Sequence, residues 1–107
     1  MKLFSKRGGE TRVGAIIEIG SGSVLTAVVV SEASAKQPTI VWAKREFANI
    51  GIDYDFARSI KSMLTALMNS MIALDSEGRA ALETSFPRYS IDTLQVSITA
   101  PWSYTIS

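Results

Sequence analysis

Glu18-Ile19-Gly20-Ser21-Gly22-Ser23 is the one local run whose residue types and spacing suit chemistry. Two glycines two positions apart let a backbone turn tightly and approach a ligand closely. Successive N–H groups in such a turn form a concave anion site. The hydroxyls of Ser21 and Ser23 add donors. A carboxylate just before the turn suits a hydrated Mg²⁺ held beside phosphates, because Mg²⁺ keeps most of its waters and takes few protein ligands. Gly20, Ser21, Gly22 and Ser23 are therefore the candidate phosphate-binding residues, and Glu18 is the candidate metal-side residue. The same run also suits a plain turn. It is not a Walker A loop, since no Gly-Lys-Ser/Thr follows, and not a dinucleotide fingerprint, since a strand rather than a helix comes next. With no Cys and no His in the chain, thiol nucleophiles, Cys or His metal sites and His-based triads are excluded. No catalytic residue is assigned.

The flanking sequence must position this turn. Val13 to Gly20 and Val24 to Val30 are β-branched, apolar runs. So short a Gly/Ser connection makes them antiparallel neighbours in a hairpin. Thr39 to Phe47 reads as a third strand, apolar at first and charged at Lys44-Arg45-Glu46, as where an edge strand runs out into solvent. Trp42 reads as core or sheet-face packing. The period then changes. Asp53 or Asp55 suits a helix N-cap. Ile60, Met63, Leu64, Leu67, Met68, Met71, Ile72 and Leu74 follow at spacings of three and four, an apolar stripe for packing on a sheet. It continues through Ala81, Leu82 and Phe86. The segment is one long helix or two with a break near Asp75–Gly78; the kept phase favours one. Pro87 stops it. Leu94 to Ala100 alternates apolar and polar as a fourth strand. The helix is long enough to act as a crossover that sets this strand parallel to the first. The expected fold class is α/β: a mixed sheet in β-β-β-α-β order.

One hundred and seven residues make one domain at most. At 47% hydrophobic and 20% charged the chain reads as an ordinary globular domain, neither a disordered tail nor, with 11 basic against 10 acidic residues, a nucleic-acid binder acting through bulk charge. Residues 1–12 hold Lys2, Lys6, Arg7 and Arg12 against Glu10, which gives 4 − 1 = +3. They read as a basic, flexible arm, and residues 13–107 as the globular part. With Leu3 and Phe4 the arm could touch an anionic membrane surface. It lacks the apolar stretch of a signal peptide, and no run approaches the ~20 apolar residues of a spanning helix.

Glu18-Ile-Gly-Ser-Gly-Ser-Val24, with Val13-Gly14 before it and Thr26-Ala-Val-Val29 after it, resembles the first phosphate motif of the actin-like ATPase superfamily. The usual form there is Asp-x-Gly-Ser/Thr-x-Ser-Val on a β-hairpin. Met1-Lys-Leu-Phe-Ser-Lys-Arg7 ahead of the first strand is similar to the start of the bacterial PilM/FtsA branch. The strand order, and Ala100-Pro101-Trp102 at its end, resemble the opening part of that family's first, ribonuclease-H-like subdomain. The resemblance implies ATP and Mg²⁺ as ligands, at Gly20–Ser23 and Glu18. It implies a cytoplasmic scaffold that works with protein partners in a membrane-associated assembly, in pilus biogenesis or cell division, at the inner face of the membrane. The alternatives are part of a sugar or metabolite kinase or phosphatase of the same superfamily, or a small module without nucleotide function. Two departures matter. Glu18 stands where the family has Asp, and one methylene exceeds the ~0.5 Å tolerance of a preorganised site. The family's second phosphate hairpin and second lobe are absent from the sequence, so at most a weak ATPase is expected of a full-length form, and none of this chain alone. Trp102 and Tyr104 are expected to pack against later parts of such a fold.

Overall fold

The structure is a computed structural model, and it describes residues 11–48 and 56–99. The expectations for the arm up to residue 10, for the caps Asp53 and Asp55, and for Trp102 and Tyr104 lie outside those residues. Four strands form one sheet: β1 (Arg12–Ile19), β2 (Ser23–Ser31), β3 (Thr39–Phe47) and β4 (Thr93–Ile98), in the order β3-β2-β1-β4. β1 pairs antiparallel with β2 and parallel with β4, and β2 pairs antiparallel with β3. The crossover from β3 to β4 is helical: α1 (Phe56–Ala73), a π turn (Leu74–Gly78) and α2 (Arg79–Ser85). The α/β class and β-β-β-α-β order stand as expected. β1 begins one residue earlier than its apolar pattern suggests, at Arg12.

The central strand β2 is buried on both faces, with Val24, Val28 and Val30 fully enclosed and Ala27 and Val29 nearly so. Its continuous β-branched run is what such a position requires. Val13, Val28, Val30 and Leu82 form one part of the core; Ile17, Val24, Met63 and Ala66 form the other. α1 lies over β2 and β3.

The buried face of α1 differs from the expected stripe. Ser59, Met63, Ala66, Ser70 and Ala73 face the sheet, while Leu64, Met68, Met71 and Ile72 are exposed. Small side chains let the helix approach the sheet closely. The buried Ser70 hydroxyl is satisfied by donating to the Ala66 carbonyl at 2.7 Å.

The helix neither breaks nor runs on unchanged at Asp75–Gly78. The π turn inserts one extra residue, so the position facing the sheet after Ala73 is five residues on, at Gly78, and then Leu82. Gly78 has ordinary helical angles (φ −66°, ψ −44°), so its requirement is space. A Cβ there would sit 3.1 Å from Trp42 Cε3 and 3.2 Å from both Leu74 Cδ1 and Val28 Cγ2. The same shift turns Glu77 outward, where it pairs with Lys44 of β3 at 3.1 Å. The hydrogen bond and charge of Glu77, aided by Glu46, raise the Lys44 pKa.

β4 is the uncovered strand. Leu94, Val96 and Ile98 point to the helix side yet stay exposed. Between β4 and α1 runs an apolar groove of about 310 Å³ lined by Ile19, Ile60, Met63, Leu64, Leu67 and Ile98. Among the described residues no helix is long and apolar enough to cross a membrane.

Candidate functional site

The Gly20–Ser23 turn lies at one end of the sheet, where all four strands converge. The Gly20 N–H donates to the Ser23 carbonyl at 2.9 Å and closes the turn. The Ala48 N–H donates to the Gly22 carbonyl at 2.9 Å, tying the end of β3 to the tip. Just past β4, the Thr99 N–H and Oγ1 both donate to the Ile19 carbonyl, at 2.9 and 3.2 Å. The turn is therefore held from both sides by its neighbours.

The glycines do not serve the turn as the sequence suggests. Neither Gly20 nor Gly22 adopts the left-handed conformation that favours glycine. A Cβ at Gly20 would make only ordinary contacts, 3.5 Å from the Ser23 carbonyl oxygen and 3.7 Å from Thr99 Oγ1, and one at Gly22 would meet nothing within 4 Å. The protein interior does not demand glycine here. What bare backbone provides at Gly22 is access from outside. The Gly20 amide is already engaged, so an anion cradle would draw on the turn's other amides and on the hydroxyl of the exposed Ser21.

Glu18 is exposed and points away from the helix, since Ile17 and Ile19 on either side of it face the helix. It pairs across the sheet with Leu25 of β2 and Ser97 of β4. Among the described residues no three Asp, Glu, His or Cys side chains come together as a metal cage. A lone exposed carboxylate fits a Mg²⁺ held mostly by water and ligand oxygens, and does not fit a resident, protein-caged ion.

One residue of this region was not legible as part of it. Arg45, read from sequence as a solvated strand end, donates from Nη1 to Ser23 Oγ at 2.8 Å. It pairs across the sheet with Leu25, so Ser97, Glu18, Leu25 and Arg45 form one row on the helix-free face, next to the turn. Its strand neighbours Lys44 and Glu46 lie on the opposite face and pair with each other at 3.6 Å. The sequence signal is weak, because the β2–β3 register depends on the loop at 32–38 and on an irregularity at Val28/Val29.

No family model matches the chain, and no curated protein matches it. Solved structures do. The Aquifex aeolicus PPX-GPPA enzyme is similar with a TM-score of 0.54 and 13% identity, over 83% of this chain and 27% of that one. A crystal structure of the Ppx/GppA family member from the same organism gives 0.52 and 14%, over 83% and 26%. A crystal structure of the type II variant of the Aquifex aeolicus Ppx/GppA phosphatase gives 0.50 and 13%, over 81% and 26%. The chain thus spans about a quarter of the length of these structures. At such identity the likeness shows the fold alone: a mixed sheet with a helical crossover, consistent with an actin-like, ribonuclease-H-like domain.

Proposed function

We propose that the Gly20–Ser23 turn binds a phosphate group, and that the chain supplies the first phosphate hairpin of an actin-like protein of the phosphatase kind. The observation that carries this reading is the position of the turn. It joins β1 to β2 at the end of the sheet where β3 and the parallel β4 are both bonded to it. The fold is shared with phosphatases of the Ppx/GppA kind, which favours this class over the PilM/FtsA branch that the arm and motif resemble. The ligand class is a phosphate ester or anhydride, ATP included. Glu18 would reach a Mg²⁺ only through water. The turn offers amide and hydroxyl donors for phosphate oxygens, so the part assigned to it is binding and orienting.

Amide NMR shifts during titration with Mg-ATP and with inorganic tripolyphosphate test this. Selective, saturable movement of the Ser21, Gly22 and Ser23 amides is expected in the millimolar range. Unmoved amides at those concentrations would sink the reading. Glu18→Asp should tighten binding only when Mg²⁺ is present, because the shorter side chain changes the metal-side geometry alone.

A second reading keeps the assembly role, with protein partners at a membrane and contact through residues 1–12. The basic arm with Leu3 and Phe4, and Glu18 in place of Asp, are what favour it. Vesicle flotation with and without residues 1–12 separates the two: equal flotation removes the membrane contact.

A further inference from the structure

We propose that Arg45 is the cation that clamps the phosphate at the hairpin, exchanging its bond to Ser23 Oγ for bonds to phosphate oxygens. This rests on the hairpin reading above and assigns the group that gives it charge selectivity. The turn itself offers only neutral donors, amides and hydroxyls. The ionised group closest to it along β1 is Glu18, whose negative charge opposes an approaching phosphate. A site with that balance binds polyanions poorly unless a cation stands beside it.

Arg45 meets the need by position and by chemistry. Its guanidinium already rests on the turn, 2.8 Å from the Ser23 hydroxyl. A guanidinium carries five N–H donors in a planar fork that matches phosphate oxygens two at a time. Among the described residues its charge is not neutralised: the ion pairs there join Arg12 to Asp92, Lys44 to Glu46 and Glu77, and Arg79 to Asp75. β3 therefore sorts its charges by face. Lys44 and Glu46 turn to the helix side, where Glu77 meets Lys44, and Arg45 turns to the open side.

Arg45 and Glu18 stand on either side of Leu25 in one row, two strand spacings or roughly 10 Å apart. A phosphate seated at the turn between them meets the cation from β3 directly. A hydrated Mg²⁺ on the β1 side would screen Glu18. Ser23 holds the guanidinium in place before the ligand arrives, so less side-chain freedom is lost on binding.

The test is a metal-free titration of the whole chain with inorganic tripolyphosphate, read by amide shifts of Ser21–Ser23. Arg45→Gln should weaken binding about tenfold or more, the usual worth of a charge-assisted contact. Arg45→Lys should recover part of the loss, because charge returns without the fork. Lys61→Gln, the same charge change on exposed α1, should stay within about twofold of the unaltered chain at moderate salt. Melting temperatures of all three should match the parent, since Arg45 is exposed. If the hairpin amides respond but Arg45→Gln binds as tightly as the parent, the Arg45 assignment is overturned and the hairpin reading survives. Equal weakening by Lys61→Gln also overturns it, as a general charge effect. If the parent's amides do not respond, both fall together.

Discussion

The two edge strands are secured in opposite ways. β3 lies under the helix: Trp42 packs against Gly78, Lys44 reaches Glu77, and α1 runs above. Among the described residues β4 has no such cover. It is held by its ladder to β1 and by a polar latch at its start. There the Asp92 N–H donates to the Val13 carbonyl at 3.0 Å, and Asp92 Oδ2 accepts from the Val13 N–H at 3.3 Å. Arg12 Nε lies 3.6 Å from Asp92 Oδ1, and Thr93 Oγ1 donates to that oxygen at 2.6 Å. One edge is fixed by packing, which cannot relax without moving the helix. The other is fixed by hydrogen bonds alone, through its ladder to β1, Asp92 at its start and Thr99 just past its end. The hairpin draws a bond from each, so its rigidity on the Arg45 side depends on the packed edge.

The packed edge should break hardest. Gly78→Leu drives a side chain into the Trp42, Leu74 and Val28 contacts, where even a Cβ is tight. A loss of about 2–3 kcal/mol is expected, in the range of overpacked cores, read by chemical denaturation. Unchanged stability would show that the helix lifts freely off β3, and the contrast between the edges would disappear. Val28→Thr keeps the shape but buries a hydroxyl in a fully enclosed position, and should cost about 1–3 kcal/mol.

The latch comes next. Burial alone would raise the Asp92 pKa, but hydrogen bonds from Thr93 and Val13 and the charge of Arg12 outweigh it and hold the carboxyl below its usual value. The side chain is 42% exposed, so solvent screens much of the effect. Asp92→Ala should cost about 1 kcal/mol at neutral pH. A group whose folded pKa is lowered stabilises above its unfolded value, about 3.9 for Asp, and that contribution is lost as pH falls through the folded pKa. The gap between the parent and Asp92→Ala should therefore be flat near neutrality and close below about pH 4. A gap that persists in acid would show that the latch does not act through its charge.

The contrast between edges also marks what the sequence made legible. Strand identity was readable because Val13–Ile19 and Val24–Val30 are β-branched and apolar throughout. The parallel placement of β4 followed from the length of the crossover. The helix face was not readable, because the largest apolar residues were taken as the buried ones. In the fold, Ser59, Ala66, Ser70 and Ala73 lie against the sheet, and Leu64 and Met68 stay exposed. Hydrophobic periodicity finds a stripe but does not say which flank has a neighbour. The π turn was not readable: the kept phase favoured one regular helix, and the space that Gly78 leaves for Trp42 involves a distant strand. Of the candidate site, the turn and Glu18 were legible as local sequence. Arg45 was not, because its meeting with Ser23 depends on a register set elsewhere.

The smallest effects should come from the open face of β4, and they bear most directly on the comparison. Leu94, Val96 and Ile98 are 61%, 52% and 59% exposed on the side that α1 would cover if it lay two strands further over. Little apolar area is withdrawn from water there, so little stabilisation is lost when it is replaced. Val96→Thr keeps both the β-branching and the volume, and should change stability by less than about 0.5 kcal/mol. The chemically identical Val28→Thr, two strands away on the same face, should cost several times more. Measuring the two together separates burial from strand propensity, because propensity is the same in both. If Val96→Thr costs as much as Val28→Thr, β4 is as well covered as β2 in solution, and the division into a packed and an open edge is wrong.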